Sequence, residues 1–119
     1  MRMRQDSYGK AWMTSANPQM RDWQEDVAWA AQEAMTRTRT PRFAGAVQVT
    51  VSFYLPRPKT VRDIYPVKKP DLDKLIRCVG DALTGVAYTD DNQVVSIAAQ
   101  KRYAAFTPST SILVTAAEG

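Results

Sequence analysis

Two short runs hold the acids of this sequence that could do chemistry. The first, Lys69-Pro-Asp-Leu-Asp-Lys-Leu-Ile-Arg-Cys-Val-Gly-Asp-Ala-Leu, carries Asp71, Asp73 and Asp81 with Lys74 and Arg77 between them. The second is Asp90-Asp91-Asn92-Gln93. Mg²⁺ takes oxygen ligands from a few carboxylates and keeps several waters. Held that way, it can activate a water and cancel charge on phosphoryl oxygens, the two needs of phosphodiester hydrolysis. Asp71 and Asp73, with Asp90 or Asp91, form a candidate ligand set, and Arg77 could reach the same phosphate. A structural reading stands beside the chemical one. An Asp at a helix start is commonly a cap or dipole partner, Asp73 with Arg77 is an ordinary i,i+4 pair, and Asp-Asp-Asn is a common turn.

The rest of the composition narrows the chemistry. Histidine is absent, which excludes Ser-His and Cys-His dyads, an imidazole base and His-rich zinc sites. Cys78 is the only cysteine, so no intrachain disulfide can form. Sixteen Lys+Arg against 12 Asp+Glu give a net charge of +4, a weak pointer to a polyanionic partner. At 119 residues the chain is expected to be one domain over 1–119 with a single modest core. The N-terminus lacks the apolar run of a signal peptide, and no stretch approaches the roughly 20 apolar residues of a membrane span. A cytoplasmic protein is the expectation.

The elements that must position these residues follow from periodicity. Lys10–Met13 suits a short strand. Asn17-Pro18 reads as a helix start, and Trp23, Val27, Ala30 and Ala34 continue a helical stripe to about Met35. Val47, Val49, Val51, Phe53 and Leu55 alternate with polar residues, the mark of a strand with one buried face, stopped by Pro56 and Pro58. Arg57 to Lys69 is a basic loop. Asp71 to Leu83 reads as a helix closed by Gly85. At about 100° per residue its Leu72, Leu75, Ile76, Val79, Ala82 and Leu83 share one face, while Asp73, Lys74, Arg77 and Asp81 share the other. Val94–Arg102 and Ser111–Ala116 are β-prone and suggest a closing hairpin around Phe106–Pro108. The expected fold class is α+β, a small mixed sheet with two helices packed mainly on one face.

The ordered run Pro70-Asp-Leu-Asp-Lys-Leu-Ile-Arg, then Asp81-Ala-Leu-Thr, then Asp90-Asp-Asn-Gln-Val resembles the signature of the RusA family of Holliday junction resolvases. The match is tightest over residues 70–95 and looser over the flanks. The resemblance implies a RusA-like fold and a homodimeric, Mg²⁺-dependent endodeoxyribonuclease that cuts four-way or other branched DNA, with Mn²⁺ as a possible substitute. It makes Asp71, Asp73 and Asp91 the catalytic metal-binding carboxylates, with Asp90 as a further metal candidate and Asp81 in support. Arg77 stands where the family has a catalytic lysine. Lys74 replaces an asparagine and adds a cation beside the metal site. The chain also begins near the turn that follows the family's opening strand, with Arg2 and Arg4 as its remnant. A lone resolvase of this kind suits a phage or prophage in a bacterial host.

The basic loop can be read as a phosphate-tracking surface or as a solvated loop that aids solubility. Beside a nuclease signature the first is favoured, because acids repel DNA and flanking cations must attract it. Arg57, Lys59, Arg62, Lys68, Lys69 and Lys74 are then the DNA-binding candidates, with Tyr54 and Tyr65 nearby. Trp12, Trp23 and Trp29 can be read as base-stacking groups, but Trp23 belongs to the helical apolar stripe; Cys78 flanks the apolar side of its helix as a buried small hydrophobe. Trp12 suits either packing or a wedge at a junction. Two other functions compete: a non-catalytic branched-DNA-binding protein of the same fold, and a metal-dependent phosphohydrolase of small molecules. Cleavage separates the first, and turnover of free phosphate esters the second.

Overall fold

The computed structural model describes residues 10–15 and 22–117, with side chains from 22 to 117. In chain order the elements are strand β1 (Lys10–Ser15), helix α1 (Trp23–Arg37), strand β2 (Val47–Leu55), helix α2 (Leu72–Leu83), a 3-10 turn (Asp91–Gln93), and strands β3 (Val94–Tyr103) and β4 (Ser109–Ala116). The fold is α+β, with a mixed sheet in the order β1-β4-β2-β3. The predicted helix start at Asn17-Pro18 lies outside the described residues. Asp22, in the left-handed region at φ 60°, precedes α1, whose first turn carries Glu25 and Asp26 and whose last carries Arg37, matching its dipole.

β2 owes its central place to its pattern. Its alternate residues from Val47 to Leu55 are all buried, so it gains most from neighbours on both edges. It pairs antiparallel with β4 and parallel with β3. The expected β3–β4 hairpin is therefore corrected: β2 lies between the two strands, and residues 104–108 step across it. That step spans about 10 Å, two strand spacings, which five residues cover easily. β-propensity marks segments but does not choose their partners, and here the most one-sidedly apolar strand takes the middle.

The inward residues of β2 join Ile112 and Val114 of β4 with the stripes of both helices in one core cluster, so both helices cover the same sheet face. Trp23 sits in this core. Its ring meets Phe53 edge-on at 5.9 Å and its indole Nε1 donates to the buried Thr110 Oγ1 at 3.2 Å. The predicted stripe of α2 is inward as expected: Leu75, Val79, Ala82 and Leu83 are buried, with Leu72 and Ile76 packed at the margin. After α2 the chain reverses through Gly85 at φ 90°, a conformation that glycine adopts without steric cost.

Candidate active site

The acidic motif straddles the start of α2. Asp71 is the N-cap residue, but its side chain makes no capping bond; its backbone carbonyl accepts from Leu75 N at 3.1 Å. The Asp71 carboxylate faces Lys74 instead, Oδ2 to Nζ 3.8 Å, both side chains largely exposed. Asp73 stands exposed in the first turn, and Arg77 one turn on. Neither is held in an ion pair among the described residues, so the i,i+4 pairing of Asp73 with Arg77 is not formed.

Arg77 and Asp81 line a cleft of about 260 Å³ between α2 and β3, and Asp91 lines it with them. The walls are apolar, with Ile76 from the helix and Val49, Val51 and Ile97 from the sheet. Tyr88 closes one side and is 1% exposed. Burial raises its phenol pKa above the ordinary value; its hydrogen bond with Thr84 acts in the opposite sense, and the charges of Asp91 and Asp81 raise it further. Both carboxylates thus act on one hydroxyl, which marks where α2 and the 3-10 turn meet.

The two adjacent aspartates of that turn have different duties. Asp90 is its N-cap: Oδ1 accepts from Asn92 N at 2.9 Å, while Gln93 Oε1 accepts from Asp90 N at 3.0 Å, a reciprocal capping box. Asp91 makes no such bond and lines the cleft. Gln93 fixes the whole turn. Its Oε1 also accepts from Thr89 N at 2.9 Å, and its Nε2 donates to Phe43 O and Gly45 O, each at 2.8 Å.

The structure therefore brings Arg77, Asp81 and Asp91 to one cleft and leaves Asp71 and Asp73 outside its lining, toward the N-terminus of the same helix. Among the described residues no three acids or thiols stand close enough to form a complete metal cage. The available donors do fit a hard dication in chemistry. They are exposed carboxylate oxygens, and neither Asp71 nor Asp91 spends its side chain on a cap.

The basic loop leads into this motif. Arg57, Lys59, Arg62, Lys68 and Lys69 are all exposed. Lys101 of β3 clamps the end of the loop, its Nζ donating to Lys68 O and Pro70 O at 3.0 Å each, on either side of Lys69. The Arg57 guanidinium lies 4.8 Å from the ring centre of Tyr103, and Arg102 lies 5.4 Å from that of Tyr65. The loop is thus folded against the end of β3.

Over residues 1–115 the chain matches the family described as endodeoxyribonuclease RusA. It belongs to the RusA family. It is also similar to the uncharacterized protein YqaN of Bacillus subtilis (strain 168), 35% identical over 71 residues, an alignment covering 50% of each chain. The chain thus spans about half the length of that curated relative.

In this RusA-family chain, Lys101, Arg102 and Tyr103 contact the basic loop, a packing that sequence reasoning missed. β3 is an edge strand with little burial alternation, so its pattern gives no face until its register with β2 is known. That register puts Lys101 beside Phe53 and Tyr103 beside Leu55, on the helix side of the sheet. A readable signal was the Lys-Arg-Tyr run closing the strand. The aromatic candidates divide. Trp23 is core, Trp29 is 67% exposed, and the side chain of Trp12 lies outside the described residues. Cys78 is half-buried rather than fully buried. Its Sγ donates to Gln24 Oε1 at 3.4 Å, and burial, then the charge of Asp81, raises its pKa.

Proposed function

We propose that the chain is a divalent-metal-dependent endodeoxyribonuclease that resolves Holliday junctions or other branched DNA by paired phosphodiester hydrolysis. The observation that carries this reading is the cleft between α2 and β3, where Arg77, Asp81 and Asp91 line one surface. Asp71, Asp73 and Asp91 are the proposed metal carboxylates. Asp81 supports them, and Asp90 acts through the capping box. Mg²⁺, or Mn²⁺ in its place, would supply charge neutralisation and a water of lowered pKa. Arg77 is proposed to hold a non-bridging phosphoryl oxygen and to stabilise the charge that grows there as water attacks phosphorus and the leaving oxygen departs. Arg57, Lys59, Arg62, Lys68, Lys69 and Lys74 would bind backbone phosphates on the approach.

A four-way junction has approximate two-fold symmetry, so paired cuts suit a homodimer with two such sites. Residues 1–119 are read as one domain of this kind, cytoplasmic in a bacterial host and phage- or prophage-encoded. Among the described residues no helix is long and apolar enough to cross a membrane.

One observation favours a non-catalytic branched-DNA-binding protein: Lys74 leans on Asp71 and competes for that carboxylate. The magnitude decides against it. An exposed pair of this type contributes about 0–1 kcal/mol, too little to withhold Asp71 from a dication. The deciding experiment incubates protein with a labelled four-way junction and with linear duplex, each in Mg²⁺ and in EDTA, beside Asp73→Asn. Symmetric nicks confined to the junction, lost with EDTA and in the variant, are expected. Tight junction binding without nicks in either metal would establish the non-catalytic reading instead.

A further inference from the structure

A second cleft, of about 230 Å³, lies between the basic loop and the end of β3. Its polar lining is Arg57, Lys68, Lys69 and Tyr103, with no acid among the lining residues. Pro58 and Pro66 are among its apolar walls. Three features make it a formed site rather than a gap. Prolines fix φ along the loop that builds it, which lowers the entropy lost on binding. Lys101 anchors the carbonyls on both sides of Lys69, so the wall that carries Lys68 and Lys69 is held to the sheet. The Arg57 guanidinium already lies over the Tyr103 ring, 4.8 Å from its centre, a cationic and aromatic pair.

We propose that this cleft takes one unpaired nucleotide of a branched DNA, its base stacked on the Arg57–Tyr103 pair and its phosphates held by Lys68 and Lys69. Cations alone would suit any phosphate. The apolar walls and the Arg57–Tyr103 pair add a site for a flat heterocycle, which paired DNA keeps inside its own stack. Continuity with Pro70-Asp71 places the nucleotide beside Asp71, one of the proposed metal carboxylates, so the cleft would register the branch point against the start of α2. The inference rests on the DNA-cleaving reading above.

The test is equilibrium binding in EDTA, where no cutting occurs. Two junctions of the same sequence are compared: one fully paired, the other with a single unpaired 2-aminopurine at the branch. The wild-type chain is expected to bind the second about tenfold more tightly, the size of one base stack, and to quench the 2-aminopurine. Tyr103→Leu should bring the two affinities within twofold and abolish the quench, whereas Tyr103→Phe should retain both. Arg57→Lys, on an exposed loop where folding is not at stake, keeps the charge and should still lose most of the preference. Equal wild-type affinities, or full preference in both Tyr103→Leu and Arg57→Lys, would overturn the nucleotide cleft while leaving the DNA reading intact. Failure of the wild-type chain to bind either junction would overturn that reading itself, and this inference with it.

Discussion

Replacing Gln93 with glutamate tests whether the candidate site is held in place by one amide. The wild-type side chain uses its full capacity, with two N–H donors on Phe43 O and Gly45 O and one oxygen accepting from Thr89 N and Asp90 N. Gln93→Glu has the same size and keeps the acceptors but loses both donors. At about 1 kcal/mol of net stability per hydrogen bond, the expected loss at neutral pH is about 2 kcal/mol, with the exposed Gly45 contact contributing the smaller share. In urea that lowers the unfolding midpoint by about 1–2 M. The loss should also depend on pH. Facing two carbonyl oxygens, the carboxyl introduced at 93 favours its protonated, donating form, so its folded pKa lies above the unfolded glutamate value of about 4.3. Its stabilising share is therefore full below that value and lost as pH rises through the folded pKa. The gap between variant and wild type should narrow below about pH 4. A gap under about 0.5 kcal/mol at pH 7, or one that ignores pH, would refute the assignment of Gln93 as the staple of this turn.

Three further outcomes are expected. Asp91→Asn should cut junction cleavage at least about 100-fold with unchanged urea stability, whereas Asp90→Ala should cost about 1 kcal/mol as a lost cap; equal effects on stability would erase the distinction between them. Lys101→Met keeps the aliphatic stem but frees the carbonyls of Lys68 and Pro70, so trypsin should cut the Arg57–Lys69 loop several-fold faster, and an unchanged rate would count against the clamp. Tyr88 and Cys78 both have raised pKa values, so the stability they contribute is complete below the ordinary values of 10.0 and 9.0 and is lost as pH rises through the folded ones; Tyr88→Phe should flatten the part of the alkaline unfolding profile above pH 10.

How much of this was legible in the sequence depends on which force wrote each feature. The α2 stripe and the β2 alternation follow from burial, which imposes a period on the chain, and both elements stand where that period puts them. The partner of β3 is a long-range choice that no local period records, so the hairpin expectation failed there. The division of labour between Asp90 and Asp91 was partly visible: Asp90-x-x-Gln93 is the spacing of a capping box, which assigns the first acid to the backbone and frees the second. The clamp by Lys101 was not visible, because it joins a lysine side chain to backbone carbonyls 31 and 33 residues away.

On the proposed DNA-cleaving reading, the electrostatic layout would give the basic loop a further role. Asp71, Asp73, Asp81, Asp90 and Asp91 stand around α2 and the turn after it, against Lys74 and Arg77. Such a surface repels a phosphate backbone, and over the Debye length of about 8 Å at physiological salt that repulsion is felt before contact. The attraction must come from cations within the same range but off the acids themselves. The loop clamped to β3 meets that requirement, because Lys69 stands two residues before Asp71 and Lys101 holds the carbonyls of Lys68 and Pro70 on either side of it. Salt should therefore weaken junction binding steeply, and a Lys68→Ala, Lys69→Ala double variant should reduce the slope of log affinity against log salt by about two. A slope unchanged in that variant would place the phosphate-binding surface elsewhere on the molecule.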